Sequence, residues 1–255
     1  MKHFIRYLLF AFTFCSCNSI PNKKNSSYPG ISTEVLDTIR SVPVKYDTKP
    51  VLFETAFVSG TTEKVNRSIL SLYGITIGNI KIVSGKIIAC DPLHIDEYGI
   101  PFTQVFPKGE FPVQLSIARL DLDERIVFAR INFSEEPVAK WEFALLEGQT
   151  QIPLGGKKMH GYSVDAGVGI FIDEEAGKAL DFEKVSDTDR AVFTEMDKHL
   201  HINWRYCMYN FGNYNLAAFT TGIGDGSYAT YIGFDANGKP CRLLTDFDLF
   251  DWKKK

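Results

Sequence analysis

Runs of residues that alternate between apolar and polar limit what this 255-residue chain can fold into more than any other feature. Residues 111–117 alternate apolar with small or polar side chains, and residues 125–133 continue in the same style. A period of two puts successive side chains on opposite faces of a sheet, which is typical of a half-buried strand. The polar segment 120–124 between the two runs predicts an antiparallel hairpin.

Further strand signals precede this hairpin. Residues 75–83 are rich in isoleucine and lead through Gly85 into residues 86–90. The second run stops at Asp91-Pro92, because proline cannot donate a hydrogen bond to a sheet. Both segments are therefore predicted to be strands.

The last third of the chain returns to strands after a helical stretch. Residues 216–220 form one predicted strand, and residues 228–234 are predicted to pair with residues 242–247 across the turn 235–238. That turn contains Asn-Gly, a strong hairpin signal because both residues tolerate positive φ. Residues 162–173 predict a strand pair interrupted by small residues.

Helices are predicted mainly between these strand regions. Asp173 can cap a short helix that runs to Leu180, and Ser186 can cap a longer one. The longer helix would place three apolar residues on one face, namely Val192, Met196 and Leu200. Residues 138–146 fit either a helix start or a strand, and the alternation of their apolar residues favours a strand.

Together these signals predict an α+β fold, predominantly antiparallel β-sheet with a helical insert, in a single domain over residues 35–255. Apolar residues make up 45% of the chain, enough to build a core without disulfides or metals. The domain has three cysteines, Cys90, Cys207 and Cys241. They could form at most one disulfide, and buried free thiols are the favoured interpretation.

The first sixteen residues have the layout of a signal peptide, with charge from Lys2 and Arg6 ahead of an apolar run over residues 7–14. The run is shorter than the roughly 20 apolar residues that a membrane-spanning helix needs. It therefore predicts an export signal that is removed, and it does not predict an anchor.

Cys17 is the predicted site of lipid attachment. Phe14-Cys15-Ser16-Cys17 resembles a lipobox, in which a small residue precedes the cysteine that is alkylated by diacylglycerol. Plain secretion with a free Cys17 is the alternative. Residues 18–34 have the composition of a flexible tether, and no acidic residue follows Cys17 closely. The sequence thus predicts a lipid-anchored protein of the cell envelope that faces the periplasm on the outer membrane.

The net charge excludes one class of partner. It is -3 at pH 7, and it becomes more negative when Lys2 and Arg6 leave with the signal. No basic cluster occurs before the terminal lysines 253–255. Because nucleic acid binding requires a basic surface, nucleic acid is not a predicted partner.

Aspartates at strand ends are the main candidates for chemistry. Four of them follow an apolar strand or stand in a glycine-rich turn: Asp91, Asp165, Asp225 and Asp246. Carboxylates that converge on a cleft could hold Ca²⁺ or Mg²⁺, or divide acid and base roles. The alternative is that each closes a turn through hydrogen bonds to nearby backbone. No other cofactor site is identified, because the glycine-rich segments lack complete nucleotide-binding motifs.

A glycine-rich segment is the candidate binding loop. It contains Gly222, Gly224 and Gly226 and is followed by Tyr228. Glycines in such a segment either supply positive φ to a bend or let a ligand approach the backbone.

Several of these motifs occur together in a known family. The segments SGKIIACDPL (84–93), YSVDAG (162–167) and GDGSY (224–228), followed by GFD (233–235) and DF (246–247), resemble a bacterial family catalogued as domain of unknown function 4241. The resemblance covers roughly residues 51–248. It implies no activity and carries over no catalytic or binding residue, but it places all four aspartates within matching motifs.

Two functions from different classes remain open. The first is a non-catalytic binding module that recognises a protein or an envelope ligand through a sheet face or the glycine-rich loop, which includes an immunity-type protein that neutralises a toxin. The second is a metal-assisted hydrolase that uses the four aspartates. The lack of a complete catalytic signature and the tethered layout favour binding.

Overall fold

The computed structural model describes residues 50–65, 68–180 and 185–252, with side chains for all of these except residues 185–189. The predicted signal peptide, Cys17 and the tether to residue 34 lie outside the described residues. Every described residue belongs to one unit, Lys45–Lys255.

Within these residues the chain forms twelve strands and four α-helices. In chain order the strands are β1 Thr61–Val65, β2 Ser68–Ile82, β3 Ile87–Cys90, β4 Gly109–Leu120, β5 Asp123–Asn132, β6 Lys140–Phe143, β7 Tyr162–Val164, β8 Val168–Asp173, β9 Tyr206–Phe211, β10 Tyr214–Thr220, β11 Gly226–Phe234 and β12 Pro240–Asp246. The helices are α1 Leu52–Thr55, α2 Ile95–Tyr98, α3 Glu174–Ala179 and α4 Val185–Asp197, and a 3₁₀ turn, Pro92–His94, precedes α2. Among the described residues, no helix has the length and apolar character needed to cross a membrane.

The strands form two antiparallel sheets. The larger sheet has the order β1-β2-β4-β5-β12-β11-β6, and β7 pairs with the other end of β11. The smaller sheet has the order β3-β8-β10-β9. The predicted α+β fold, with a predominantly antiparallel β-sheet, is confirmed.

Both predicted hairpins are present. β4 pairs with β5, and β11 pairs with β12. In the second turn Asp235 Oδ1 accepts hydrogen bonds from the backbone N–H groups of Asn237 and Lys239, each at 2.8 Å. Only Gly238 in that Asn-Gly pair takes a positive φ, of 74°. The turn therefore forms through an aspartate cap and one glycine, and it does not need two left-handed residues.

The prediction that the two strands within residues 162–173 pair with each other is wrong. Both strands exist, but β7 pairs with β11 in the larger sheet, while β8 pairs with β3 and β10 in the smaller one. The turn 165–167 carries the chain from one sheet to the other. The ambiguous segment 138–146 contains β6, so the strand interpretation is confirmed.

The helix predictions are confirmed in part. Asp173 caps α3, with its Oδ1 accepting a hydrogen bond from the Glu175 N–H at 2.9 Å. In α4, Val192 and Met196 are buried as predicted. Leu200 is 63% exposed because α4 ends at Asp197, before Leu200 can join the apolar face. Ser186 was predicted to cap this helix, but α4 already begins at Val185.

Apolar side chains pack in three layers. One lies between the two sheets and includes Phe219 and Leu243, and one covers the outer face of the larger sheet and includes Phe53 and Leu244. The third lies on the outer face of the smaller sheet under the helices and includes Met196. Adjacent residues of β12 thus contribute to different layers, because side chains alternate along a strand.

The three cysteines of the domain, Cys90, Cys207 and Cys241, are all buried and free. Burial raises the pKa of the Cys207 thiol to about 12, which keeps it protonated near neutral pH. The interpretation of these residues as buried thiols is confirmed.

Candidate functional site

Asp91 joins three segments of the chain at one end of the smaller sheet. It follows β3, is 1% exposed, and its Oδ1 accepts a hydrogen bond from the Leu93 N–H at 2.8 Å. Its Oδ2 accepts hydrogen bonds from the N–H groups of Asp165 at 2.7 Å and Ala166 at 2.8 Å. The carboxylate therefore caps the 3₁₀ turn and fastens the β7–β8 turn, and backbone donors use both of its oxygens.

Asp165 and Asp225 lie around the same turn but are exposed. The Asp165 side chain is 73% exposed, and its Oδ2 lies 3.4 Å from His94 Nε2. Asp225 Oδ1 lies 3.9 Å from the position that a Cβ on Gly167 would occupy. The structure thus brings three of the four predicted aspartates to one end of the molecule.

Asp246 faces away from the other three. It shares a strand face with Leu244, which packs on the outer side of the larger sheet. Its Oδ2 accepts a hydrogen bond from Trp252 Nε1 at 2.7 Å, and its Oδ1 accepts one from the Asp248 N–H at 2.9 Å. In the described part of the chain, no group of three or more His, Cys, Asp or Glu side chains is placed to hold a metal ion. The four aspartates therefore do not converge as the cation hypothesis expected.

The glycine-rich loop is closed by contacts within itself. Tyr228 is 6% exposed, and its hydroxyl donates a hydrogen bond to the Gly224 carbonyl at 2.5 Å. Gly222 has a φ of 44°, and a Cβ there would lie 2.9 Å from the Phe247 carbonyl oxygen. A Cβ on Gly226 would lie 3.0 Å from the Tyr228 ring. Turn geometry and packing therefore account for these residues, and their role in binding stays a prediction.

A pocket of about 460 Å³ opens beside Asp165. We call it the Tyr162 pocket. Its apolar and aromatic lining residues are Ala89, Tyr98, Ile100, Phe102, Ala144, Leu146, Gly161 and Tyr162. Its polar lining residues are Gln149, His160, Ser163, Asp165 and Thr230. At the edge of the pocket, Tyr98 is 59% exposed and Ile100 is 48% exposed, so the apolar lining continues to the surface.

The irregular segment between α2 and β4 bridges the two sheets beside this pocket. The Phe102 N–H donates a hydrogen bond to the Ile87 carbonyl in β3 at 2.9 Å, and the Thr103 N–H donates one to the Leu145 carbonyl beyond β6 at 2.8 Å. Lys86 Nζ also donates a hydrogen bond to the Thr103 carbonyl. These bonds fix the pocket wall in place and give the cavity a defined shape.

The hydroxyl of Tyr162 is the most unusual polar group of the pocket residues. Its oxygen is buried and has no hydrogen-bond partner among the described residues. Burial, and then the neighbouring Cys90, raise the pKa of Tyr162 well above its ordinary value. This rise keeps the hydroxyl protonated near neutral pH, and its buried oxygen is not accessible from the pocket.

Two further polar groups already have protein partners. His160 Nε2 lies 2.9 Å from the Thr150 carbonyl oxygen, and Thr230 Oγ1 lies 2.9 Å from Thr245 Oγ1. Asp165, at the pocket edge, has a side chain that is 73% exposed, so its carboxylate could accept a hydrogen bond from a ligand.

Sequence reasoning found only Asp165 among the residues that line this pocket. The others come from separate segments, which meet only because β7 and β11 pair and the segment after α2 crosses between sheets. One weak signal was available in residues 100–106, where large apolar residues flank Pro101 outside any predicted strand or helix. Apolar residues in an irregular segment are typical of a loop that covers a core or a cavity.

Comparison with known proteins identifies a family that covers most of the described fold. The model of a family described as "Protein of unknown function (DUF4241)" matches residues 80–245, about two thirds of the chain. The matched region includes Asp91, Asp165 and Asp225, whereas Asp246 lies just beyond it. No curated protein and no solved structure matches the chain.

Proposed function

This chain belongs to the DUF4241 family of proteins of unknown function, and from that premise we propose that it is a lipid-anchored envelope protein whose domain binds a compact ligand in the Tyr162 pocket without transforming it. The family resemblance predicted from the motifs is confirmed, but it brings no activity. The support for the proposal therefore comes from the residues of this chain.

The single observation that carries the binding proposal is the composition and size of the pocket. Its volume of about 460 Å³ lies within the roughly 300–1,000 Å³ that is typical of small-molecule sites. Its walls are mainly apolar and aromatic, with a few polar groups that could orient a ligand. Burying apolar surface there would supply most of the affinity, at roughly 25 cal/mol per Å² before the costs of association.

Two polar groups of the pocket lining, Tyr162 and Thr230, are poorly suited to act as general bases. The raised pKa of Tyr162 keeps it from acting as a base, and the Thr230 hydroxyl is shared with Thr245. General base catalysis needs a group that is deprotonated at the working pH and within reach of a proton to remove. No observation favours the metal-assisted hydrolase as a second candidate.

The binding proposal is tested by filling the pocket. Ala144 is 4% exposed and lines the cavity, so Ala144→Leu would occupy ligand space. We expect small molecules that copurify with the wild-type chain from envelope extracts, detected by mass spectrometry, to be lost from this variant while its melting temperature is retained. Identical sets of copurified molecules on the two proteins would contradict the proposal.

A matched pair of loop variants controls for general effects of substitution. Ile100 and Val105 lie in the same irregular segment and are 48% and 60% exposed, but only Ile100 lines the pocket. We expect Ile100→Ala to reduce ligand recovery and Val105→Ala to leave it unchanged.

The anchoring proposal has its own test. Cys17→Ser removes the thiol that would carry the lipid, so we expect the protein to move from the membrane fraction to the soluble fraction after cell disruption. Ser16→Ala keeps a small residue before the cysteine and is expected to remain membrane-bound. Membrane association of Cys17→Ser equal to that of the wild type would overturn the lipid assignment.

A further inference from the structure

The formal charge of the pocket lining is negative. Among the described residues that line it, Asp165 is the only aspartate or glutamate, and none is a lysine or arginine. Its carboxylate is 73% exposed and has His94 as a neighbour at 3.4 Å. An anionic ligand would therefore meet a carboxylate at the pocket edge and no full positive charge in the lining.

Two further carboxylates lie behind this edge. Asp91 is held against the backbone of residues 165 and 166 by hydrogen bonds of 2.7 and 2.8 Å, and Asp225 lies beside Gly167 on the same turn. Several carboxylates around a low-dielectric cleft raise the local concentration of cations. The field at this end of the pocket thus favours a cation.

The aromatic residues of the lining suit the same kind of ligand. Tyr98, Phe102 and Tyr162 contribute rings, and the face of an aromatic ring attracts an ammonium or guanidinium group. The apolar residues beside them, such as Ile100 and Leu146, would cover the uncharged body of a ligand.

We propose that the Tyr162 pocket selects a small organic cation, in which an ammonium or guanidinium group is carried on an apolar body. The cationic group pairs with Asp165 at the pocket edge, and the apolar body lies between Phe102, Ala144 and Leu146. This inference rests on the proposed binding function, since it names the class of ligand that the same pocket takes.

Three probes with one body and three charges test the inference. 2-Phenylethylamine is cationic at pH 7, 2-phenylethanol is neutral, and phenylacetate is anionic. We expect residues 17–255 carrying Cys17→Ser to bind the amine about fivefold more tightly than the alcohol, the size of effect given by one partly exposed carboxylate. We expect phenylacetate to bind most weakly. Raising the salt concentration should weaken the binding of the amine and leave the binding of the alcohol unchanged, because salt screens exposed charges.

A matched pair of aspartate variants tests whether Asp165 causes the preference for the amine over the alcohol. Asp165→Asn should reduce the affinity for the amine to that for the alcohol and leave the alcohol unchanged. Asp96→Asn removes an exposed carboxylate on α2 that does not line the pocket, and it should keep the preference for the amine.

The outcomes separate this inference from the binding proposal on which it rests. Equal binding of the amine and the alcohol to the wild-type pocket, or tighter binding of phenylacetate, would overturn the cation inference and leave the pocket as a ligand site. If Ala144→Leu binds the probes as well as the wild-type chain does, or if no probe binds at millimolar concentration, both proposals fall.

Discussion

Asp91 and Asp165 lie at the same end of the molecule and contact each other, yet their carboxylates are in opposite situations. Asp91 is 1% exposed and accepts hydrogen bonds from three backbone N–H groups. The Asp165 side chain is 73% exposed and has His94 near one oxygen. The first carboxylate is part of the framework, and the second is open to solvent and to a ligand.

The difference teaches that a strand-end aspartate has no fixed role in this fold. Asp173 makes the point again, because its Oδ2 accepts hydrogen bonds from the N–H groups of Val83 and Ser84 at 3.0 and 2.9 Å, and its Oδ1 caps α3. Burial and the supply of backbone donors decide whether a carboxylate stabilises the fold or remains available.

The largest expected effect comes from removing the framework carboxylate. Asp91→Ala leaves three backbone donors without their acceptor, two of them on the turn that carries Asp165. We expect the free energy of unfolding to fall by about 3–5 kcal/mol, measured by urea denaturation. Asp165→Ala is the matched control and should change it by less than about 0.5 kcal/mol. Equal losses of unfolding free energy in the two variants would contradict the assignment of Asp91 to the framework and of Asp165 to the open surface.

The second prediction extends the comparison to the glycine-rich loop. Gly222 and Gly212 both have positive φ, at 44° and 51°. A Cβ at Gly222 would lie 2.9 Å from the Phe247 carbonyl oxygen, whereas one at Gly212 would meet nothing within 4 Å. We expect Gly222→Ala to cost about 2–3 kcal/mol and Gly212→Ala about 1 kcal/mol in urea denaturation. A smaller loss at Gly222 than at Gly212 would show that the loop is free to move.

The fold was largely predictable because its signals are local. The hairpins β4–β5 and β11–β12 each combine two alternating runs with a short turn, so pattern and connection agree. β1 and β9 were missed for different reasons. β1, Thr61–Val65, is an edge strand with mostly polar residues, and β9, Tyr206–Phe211, mixes apolar and polar residues without clean alternation.

The site was less predictable because it is made by contacts between distant segments. A turn aspartate looks the same in sequence whether it is Asp91 or Asp165, since the sequence does not show which backbone N–H groups will lie nearby. The pocket depends on β7 and β8 joining different sheets, a choice set by tertiary pairing. Sequence patterns indicate strands, but they do not indicate partners at this range.

A third prediction concerns the buried hydroxyl of Tyr162. Because the oxygen has no hydrogen-bond partner among the described residues, Tyr162→Phe should leave the free energy of unfolding unchanged or raise it by about 1 kcal/mol. Thermal and urea unfolding would measure this. A loss of more than about 1 kcal/mol would show that the hydroxyl is satisfied in solution, by water or by Thr245.

The smallest expected effect concerns Glu124, whose side chain is 17% exposed and so lies between Asp91 and Asp165 in burial. Burial acts to raise its pKa, but hydrogen bonds donated by Trp204, Arg119 and Tyr73 outweigh burial and lower the pKa overall. A lowered pKa in the folded state stabilises the fold above the unfolded pKa of about 4.3, and this contribution is lost as the pH falls through the folded value.

Glu124→Gln should therefore flatten the loss of stability between about pH 5 and pH 3 by a few tenths of a kcal/mol. The exposed Glu97 on α2 provides the control variant, Glu97→Gln. Identical pH profiles for wild type and Glu124→Gln would remove Glu124 from the set of stabilising carboxylates.

The central claim is that the open end of the molecule, beside Asp165, is a ligand site. The most direct measurement is methyl NMR of the alanine residues while 2-phenylethylamine is titrated into residues 17–255 carrying Cys17→Ser. Ala89 and Ala144 line the pocket, while Ala118 packs on the outer face of the larger sheet. We predict saturable shifts at Ala89 and Ala144 with no shift at Ala118. Saturable shifts confined to other methyl groups, or none at millimolar concentration, would contradict the account.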